Sequence, residues 1–137
     1  MKTRNILIAI VALISLNVFT SCEKIKGKGD VITESRTTGT YTSVSLAMSA
    51  TVYFTPDTVY SLRISGQENI LREIITEVDG NSLVVRVKNG VILRNYEPIH
   101  VYITAPDVTG LDVSGSGDIF TDKTLIVNDL SVNISGS

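Results

Sequence analysis

The sequence predicts an all-β protein, and three observations lead to that prediction. Apolar and polar residues alternate from residue 40 onward, which is the pattern of half-buried strands. Turn signals containing glycine or proline separate the short alternating runs. A Ser-Gly-Ser element then recurs near the C-terminal end, and such a repeat favours a parallel β-helix, or solenoid, with hairpins in its N-terminal half. A β-sandwich is the alternative for short, regularly spaced strands.

The longest alternating segment runs from Val44 to Phe54, where every even-numbered position is apolar. Its length exceeds that of an ordinary strand, so we expect it to bend or break inside. Pro56-Asp57 ends the segment. Further strands are predicted at Tyr60–Ile64, Ile74–Val78, Leu83–Val87, Val91–Leu93, Ile99–Ile103, Leu111–Val113, Ile119–Thr121, Leu125–Val127 and Leu130–Ile134.

Two dipeptides predict tight turns between these strands. Asp79-Gly80 follows the strand that ends at Val78, and Asn89-Gly90 follows the strand that ends at Val87. Asparagine, aspartate and glycine supply the positive φ that tight hairpin turns require, so both sites are predicted as hairpins. The stretch Gln67–Arg72 is the only one expected to form a turn of helix.

The Ser-Gly-Ser element has a defined period. Val113-Ser114-Gly115-Ser116 recurs as Ile134-Ser135-Gly136-Ser137, at an offset of 21 residues. Periods of about 20 residues or more are typical of solenoids, in which one coil stacks on the next. Stacked backbones lie about 4.8 Å apart, and a glycine can turn sharply there because it has no Cβ. The second copy ends the chain, so we expect the domain to be truncated at Ser137 and to continue with further coils in the complete protein.

Residues 1–21 resemble the signal peptide of a bacterial lipoprotein. Lys2 and Arg4 precede an apolar run over Ile6–Phe19, and small residues lead from it to Cys22. The run has 14 residues, whereas a membrane-spanning helix needs roughly 20. We expect lipidation of Cys22, with ordinary signal-peptidase cleavage as the rival. Residues 22–29 are then a polar tether and residues 30–137 the β-solenoid domain.

Composition and charge limit the range of partners. Without the signal peptide, the chain has 10 basic and 14 acidic residues, and nucleic-acid binding needs a basic surface. The single cysteine allows no intramolecular disulfide. With no Trp and only three Phe, an aromatic platform for sugars is hard to assemble, although five Tyr are present.

No combination of residues in the sequence resembles a catalytic centre. His100 is the only histidine, and we expect it at an outward strand position because no thiol or second histidine accompanies it. Gly115–Asp118 superficially resembles a phosphate-binding loop, but such loops open a helix and a strand is predicted here. The serines of the repeat have no base placed to activate them. The sequence therefore predicts no catalytic residue, no cofactor-binding residue and no cofactor.

Acidic residues of the C-terminal third provide one candidate metal site. Carboxylates from adjacent coils of a solenoid can converge on Ca²⁺, which takes about six to eight oxygen ligands. Asp112 and Asp118 are the candidate ligands, and Asp112 is expected to stack on Asn133, which lies 21 residues later. We favour the simpler interpretation that these are turn and surface residues, because the ligand count is short.

The order of several segments resembles the head GIN domain family of auto-transporter adhesins, which are secreted proteins or lipoproteins of Bacteroidota. The segments are Gly27-Lys28-Gly29-Asp30-Val31 with Arg36, the Val44–Phe54 alternation, Ile70–Leu83, Val101–Pro106 and Leu111–Ile119. The resemblance covers about residues 27–137. It implies a right-handed β-solenoid that extends beyond the end of this chain, and it carries over no catalytic residues because the family has no established activity.

The leading hypothesis is a non-enzymatic, lipid-anchored protein that displays a surface for adhesion or for binding a glycan or protein ligand. The alternative is a calcium-dependent polysaccharide lyase or hydrolase of the parallel β-helix type. A third hypothesis is a structural envelope protein that self-associates through the edge of its solenoid. All three place the chain at the outer membrane, and the sequence is compatible with either its outer or its periplasmic side.

Overall fold

The computed structural model describes residues 22–136, so the predicted signal peptide lies outside the described residues. In this range the chain forms twelve strands and one turn of helix. The strands are β1 (Glu23–Lys26), β2 (Val31–Arg36), β3 (Ser43–Ala47), β4 (Thr51–Pro56), β5 (Ser61–Gln67), β6 (Ile74–Asp79), β7 (Ser82–Val87), β8 (Val91–Arg94), β9 (His100–Ala105), β10 (Gly110–Val113), β11 (Asp118–Thr121) and β12 (Ser131–Ile134). The helical turn α1 (Glu68–Leu71) lies between β5 and β6, within the stretch where the sequence predicts a turn of helix.

Two five-stranded sheets contain ten of these strands. Sheet 1 has the order β12-β10-β3-β7-β6, sheet 2 has the order β11-β4-β9-β5-β2, and β1 pairs with β8 separately. The prediction of an all-β protein is confirmed. Both sheets are mixed, because β6 returns on β7 and β5 pairs antiparallel with β9 and β2. A uniformly parallel β-helix is therefore not confirmed: the tight turn at Asp79-Gly80 makes β6 antiparallel to β7, and β5 runs antiparallel to two strands that are distant in the chain.

The long Val44–Phe54 alternation divides into two strands of different sheets. β3 ends at Ala47, β4 begins at Thr51, and the three residues between them form a corner. Val44 and Leu46 of β3 and Val52 and Phe54 of β4 are buried, because alternate side chains of a strand point to the same face. The predicted interruption of this segment is therefore confirmed. Apolar residues of both sheets form one buried cluster, so the corner connects two strands that border the same core.

The strand pairs stack with constant offsets. β10 lies parallel to β3 and β11 parallel to β4, and in both pairs the partners are 67 residues apart. β12 lies parallel to β10 at an offset of 21 residues. Ser135-Gly136 therefore stacks on Ser114-Gly115 at one corner, as the repeat predicts; Ser137 lies outside the described residues. A Cβ at Gly115 would lie 2.5 Å from the Met48 carbonyl oxygen, and one at Gly136 would clash with the Gly115 carbonyl oxygen, so neither position accommodates a side chain.

Two local predictions are wrong and one hairpin is confirmed. Asp79-Gly80 joins the antiparallel strands β6 and β7, with Gly80 at a φ of 59°. Asn89-Gly90 also forms a turn, with Gly90 at a φ of 79°, but β8 leaves it to pair with β1 and not with β7. The predicted strand Leu125–Val127 is absent. Leu125 packs against the core, but Ile126 is 91% exposed, and the segment pairs with no strand of the described residues.

The segment predicted as a tether is folded along most of its length. Glu23–Lys26 is strand β1, and its parallel pairing with β8 matches Ile25 with Leu93. Both of these apolar side chains pack against the core. Asn69 then holds the following residues, because its Nδ2 donates to the Lys26 carbonyl oxygen at 2.7 Å and its Oδ1 accepts from the Lys28 amide at 3.0 Å. The packing of Ile25 and the hydrogen bonds of Asn69 thus hold in place a segment whose polar composition predicts exposure to solvent.

The two ends of the core are closed differently. Arg36 on β2 reaches across the core, and its guanidinium donates to the carbonyl oxygens of Ile74 at 2.6 Å and Leu71 at 2.7 Å. It also pairs with Glu34 at 2.6 Å. At the opposite end, Val132 and Ile134 on β12 are 56% and 69% exposed. Within residues 22–136, one end of the core is therefore closed by a hydrogen-bonded ion pair, and apolar side chains at the other end are exposed.

Candidate functional site

The outer face of sheet 2 carries a row of aromatic side chains. The strand register places Phe120 beside Tyr53, Tyr53 beside Tyr102, and Tyr102 beside Arg63. These four residues come from four adjacent strands and form what we call the aromatic row. Sequence reasoning missed this row, because the small number of aromatic residues does not reveal that the strand register places three of them side by side.

The rings of the aromatic row stack against one another. The ring centroids of Tyr53 and Tyr102 are 5.3 Å apart with an interplanar angle of 15°, and those of Phe120 and Tyr53 are 6.0 Å apart with an angle of 27°. The Arg63 Cζ lies 5.4 Å from the Tyr102 centroid, which is within cation–π distance. Because each inner ring is covered on its faces by its neighbours, the row presents ring edges to solvent. Phe120 lies on an edge strand and is 53% exposed, so its outer face is open.

The alternation of buried residues orients this row. Val52 and Phe54 flank Tyr53 and are buried, and Val101 and Ile103 flank Tyr102 in the same way. Successive side chains of a strand point to opposite faces, so burial of the aliphatic neighbours turns both tyrosines outward. This outward direction is readable from sequence. Their proximity is not, because it depends on pairing between distant strands.

Polar side chains lie on both sides of the aromatic row. On one side the register aligns Asp118, Thr51, His100 and Ser65, and on the other it aligns Thr55, Thr104 and Ser61. Hydroxyl groups can both donate and accept hydrogen bonds. The outer face of sheet 2 thus combines an apolar centre with hydroxyl-bearing margins.

His100 lies on this face, as the alternation predicts. Its ring centroid is 5.9 Å from that of Tyr53. Its Nδ1 atom is buried and makes no hydrogen bond with any group in residues 22–136. Buried polar atoms nearly always have a partner, so this nitrogen is an exception among the described residues.

The two candidate calcium ligands lie in different sheets. Asp112, on β10 in sheet 1, accepts hydrogen bonds from Ser45 Oγ at 3.2 Å and from Asn133 Nδ2 at 2.9 Å. The predicted stacking of Asp112 on Asn133 is therefore confirmed. Asp118 begins β11 in sheet 2 and lines a corner pocket of about 190 Å³ with Thr51 and Ser116. Among residues 22–136, no three or more His, Cys, Asp or Glu side chains are grouped so that they could hold a metal ion.

Cys22 is the first residue that the structure describes, and its thiol is exposed and free. It directly precedes β1. In the described part of the chain, no helix has the length and apolar character needed to cross a bilayer.

The family described as "Putative auto-transporter adhesin, head GIN domain" matches residues 40–137 of the chain. This range includes the stacked corner, both candidate aspartates and the whole aromatic row. Among proteins with curated descriptions, none matches this sequence.

Several solved structures share the fold. A "putative adhesin" from Bacteroides fragilis has a TM-score of 0.75 at 23% identity, covering 82% of this chain and 53% of that one. A "putative lipid binding protein" from Parabacteroides distasonis has a TM-score of 0.72 at 21% identity, covering 82% and 49%. A "putative adhesin" from Parabacteroides merdae has a TM-score of 0.74 at 16% identity, covering 82% and 47%. The chain thus spans about half the length of these structures, and identities this low show a shared fold alone.

Proposed function

Because the chain belongs to the head GIN domain family, we propose that it is a ligand-binding protein of the bacterial cell envelope with an adhesin-like role. Export through the signal peptide and lipidation of Cys22 would anchor it to the outer membrane. The aromatic row on sheet 2 is the proposed ligand surface. We assign the protein binding and no catalytic step.

The aromatic row is the observation that carries this proposal, and a glycan is the ligand class that fits it. Sugars have apolar C–H faces that pack against aromatic surface, and Phe120 offers an open ring face while Tyr53 offers a ring edge. Sugar hydroxyls require donors and acceptors, which the rows containing Thr51 and Thr104 supply on each side. An extended glycan lying along the row would meet both kinds of group together.

Arg63 adds charge selectivity to the proposed site. Its guanidinium stacks on Tyr102 and takes part in none of the ion pairs between described residues. Arginine pairs with planar anionic groups through parallel hydrogen bonds. We therefore expect glycans that carry a carboxylate or sulfate to bind more tightly than neutral ones of the same length.

A glycan-array screen followed by titration tests the proposed site. Tyr53→Ala and Phe120→Ala should each weaken the strongest glycan interaction by about tenfold or more, since each removes a central apolar contact. Val59→Ala is the matched control, because Val59 is 58% exposed but lies outside the row, between β4 and β5. Equal affinity of all four proteins would show that the row is not the binding surface.

Protease treatment of intact cells tests the proposed location, with lysed cells as the control. Digestion on intact cells would support a role outside the cell, and protection until lysis would exclude adhesion. Labelling with radioactive palmitate tests the anchor in the same cells. The label should be incorporated into the wild-type protein and should be lost in the Cys22→Ser variant.

A second candidate function is favoured by the exposed edges of the two sheets. β11 and β12 each pair with a single strand among the described residues, and Val132 and Ile134 expose apolar surface there. Unpaired edges of this kind pair readily with another chain. Self-association through these edges would suit a structural envelope protein.

A further inference from the structure

The β1–β8 pair forms a second surface with a distinct chemistry. Ile25 and Leu93 pack against the core, so the residues alternating with them face outward. Lys24 on β1 is therefore outward-facing, and Lys26 is aligned with Arg94 on β8. All three cationic side chains are exposed.

This surface is a concentration of unpaired positive charge. Lys24, Lys26, Lys28 and Arg94, which we call the basic strip, are exposed. They take part in none of the ion pairs within residues 22–136, which involve other arginines and Lys88. The whole chain has a formal net charge of −2, so this surface is positively charged although the chain as a whole is negatively charged.

Four acidic residues lie close to the basic strip. Glu23 precedes Lys24 on β1, Asp30 follows Lys28 by two residues, and Glu97 follows β8 in the loop before β9. Asp30 and Glu68 line a surface pocket together with Lys28. All four are exposed, and none forms an ion pair with a residue of the strip in the described structure, since Glu68 pairs with Arg72. The strip therefore keeps its charge available for an external partner.

The backbone beneath the basic strip is held in place. The Glu23 amide donates to the Gly90 carbonyl oxygen at 2.7 Å, and the Gly27 amide donates to the Arg94 carbonyl oxygen at 3.2 Å. Gln67 Nε2 donates to the Gly29 carbonyl oxygen at 3.0 Å. These bonds fix the spacing of the cations, so the strip is a preformed surface and not a flexible charged tail.

The position of the strip relative to Cys22 identifies its partner. Strands rise about 3.3 Å per residue, so Lys26 lies within about 13 Å of Cys22. A lipid attached to Cys22 would bring the headgroup layer to the start of β1. Lysine and arginine bind phosphate groups through charge-assisted hydrogen bonds, and anionic membrane surfaces attract such clusters.

We propose that the basic strip is a contact surface for anionic phospholipid headgroups, which holds the folded domain directly against the bilayer. The lipid anchor rests on the proposed lipidation of Cys22, but headgroup contact by the strip does not depend on it. The contact orients the domain with β1 and β8 toward the membrane.

Vesicle sedimentation tests the strip without the lipid anchor. The chain from residue 22 carrying Cys22→Ser is mixed with vesicles of equal parts phosphatidylglycerol and phosphatidylcholine, or of phosphatidylcholine alone. We expect binding to the anionic vesicles only, and weaker binding as salt is raised. Adding Lys24→Gln and Lys26→Gln should reduce the partition coefficient by about 30-fold, since each basic residue contributes about fivefold at such a surface.

A charge-matched variant separates the strip from net charge. Arg86→Gln with Lys123→Gln also removes two positive charges, but from β7 in sheet 1 and from the segment after β11. It should keep most of the binding, and thermal melts establish that both variants are folded. Equal losses in the two variants, or equal binding to both kinds of vesicle, would overturn the proposal. Because the glycan titration uses the aromatic row, its result is independent of this one.

Discussion

At Gly115 the fold leaves no room for even a single additional carbon atom. It lies at the corner between β10 and β11, where a Cβ would be 2.5 Å from the carbonyl oxygen and 2.8 Å from the backbone nitrogen of Met48. Backbone atoms in a stacked coil cannot move aside as a flexible side chain can. The glycine is required here because two chain segments approach each other closely.

We predict that Gly115→Ala lowers the free energy of unfolding by about 1–3 kcal/mol, the usual cost of forcing an added methyl group into a packed site. Urea denaturation of both proteins measures the difference. Gly39→Ala is the matched control, because a Cβ at Gly39 would meet nothing within 4 Å. A similar small change in both variants would contradict the close packing at the corner.

Tyr41 is a buried residue whose ionisation makes the stability of the fold depend on alkaline pH. Burial, and to a smaller extent the charge on Tyr60, raises the pKa of Tyr41 from 10.0 to about 12. Tyr41 is fully buried and its hydroxyl donates to the Thr104 carbonyl oxygen at 3.4 Å. The folded protein therefore holds the phenol proton at a pH where the unfolded chain has released it.

The sign of this effect predicts alkaline destabilisation. The contribution of Tyr41 is fully present below pH 10, where both states are protonated, and it is lost as the pH rises through the folded pKa of about 12. Within that interval the free energy of unfolding should fall by up to about 1.4 kcal/mol per pH unit. Tyr41→Phe removes the titrating group, so its stability should fall less steeply between pH 10 and 12. Identical slopes would exclude Tyr41 as the cause.

At the scale of elements, Arg36 joins an edge strand of sheet 2 to the end of α1 and to an edge strand of sheet 1. Its side chain is 18% exposed, and Glu34 neutralises it. The carbonyl oxygens of Leu71 and Ile74 depend on its guanidinium for hydrogen bonds. Arg36 thus donates hydrogen bonds to backbone carbonyl groups of α1 and β6 and forms an ion pair within β2.

We predict that Arg36→Met destabilises the protein by about 2–4 kcal/mol, because it leaves buried carbonyl groups without a charged donor. Arg72→Met provides the comparison. Arg72 is 70% exposed and pairs with Glu68 on α1, and an exposed pair of this kind contributes less than about 1 kcal/mol. Thermal unfolding that ranks the two variants in the opposite order would rule out this role for Arg36.

At the scale of the whole molecule, burial decreases toward one end. In sheet 1, Leu83, Val44 and Val132 occupy one inward-facing row, yet their exposures are 0%, 1% and 56%. The apolar side chains at β12 point toward the core side but lack covering neighbours among the described residues. Exposed apolar surface beside an unpaired edge favours association with another chain.

Light scattering on the chain from residue 22 measures this association. We expect the average mass to rise with protein concentration, and Val132→Lys to suppress the rise because a charge at the edge opposes strand pairing. Val59→Lys is the control, since Val59 is 58% exposed and lies between β4 and β5. A constant monomer mass at high concentration would contradict self-association through these edges.

Local patterns predicted many features because they act over short distances. The alternation across Val44–Phe54 indicated which side chains are buried and that the segment breaks, and the 21-residue repeat indicated the stacking of Asp112 on Asn133. The Leu125–Val127 prediction failed because an apolar run becomes a strand only where a partner strand is available, although Leu125 does pack against the core. The hairpin at Asn89-Gly90 failed for a related reason, since a turn sequence does not determine which strand pairs with β8.

The sequence by itself determined the all-β class, the direction of the side chains on most strands, and the glycine corner, because alternation, turn geometry and backbone spacing are local properties. Only the tertiary structure decided the pairing at an offset of 67 residues and the pairing of β1 with β8. Neither pairing can be recognised from a repeated sequence motif, since strand partners need only complementary shape and burial. The basic strip is a product of the β1–β8 pairing, and the aromatic row needs the pairing of β11 with β4 together with the pairings of β9 with β4 and β5. Both proposed binding surfaces therefore depend on which distant strands become neighbours.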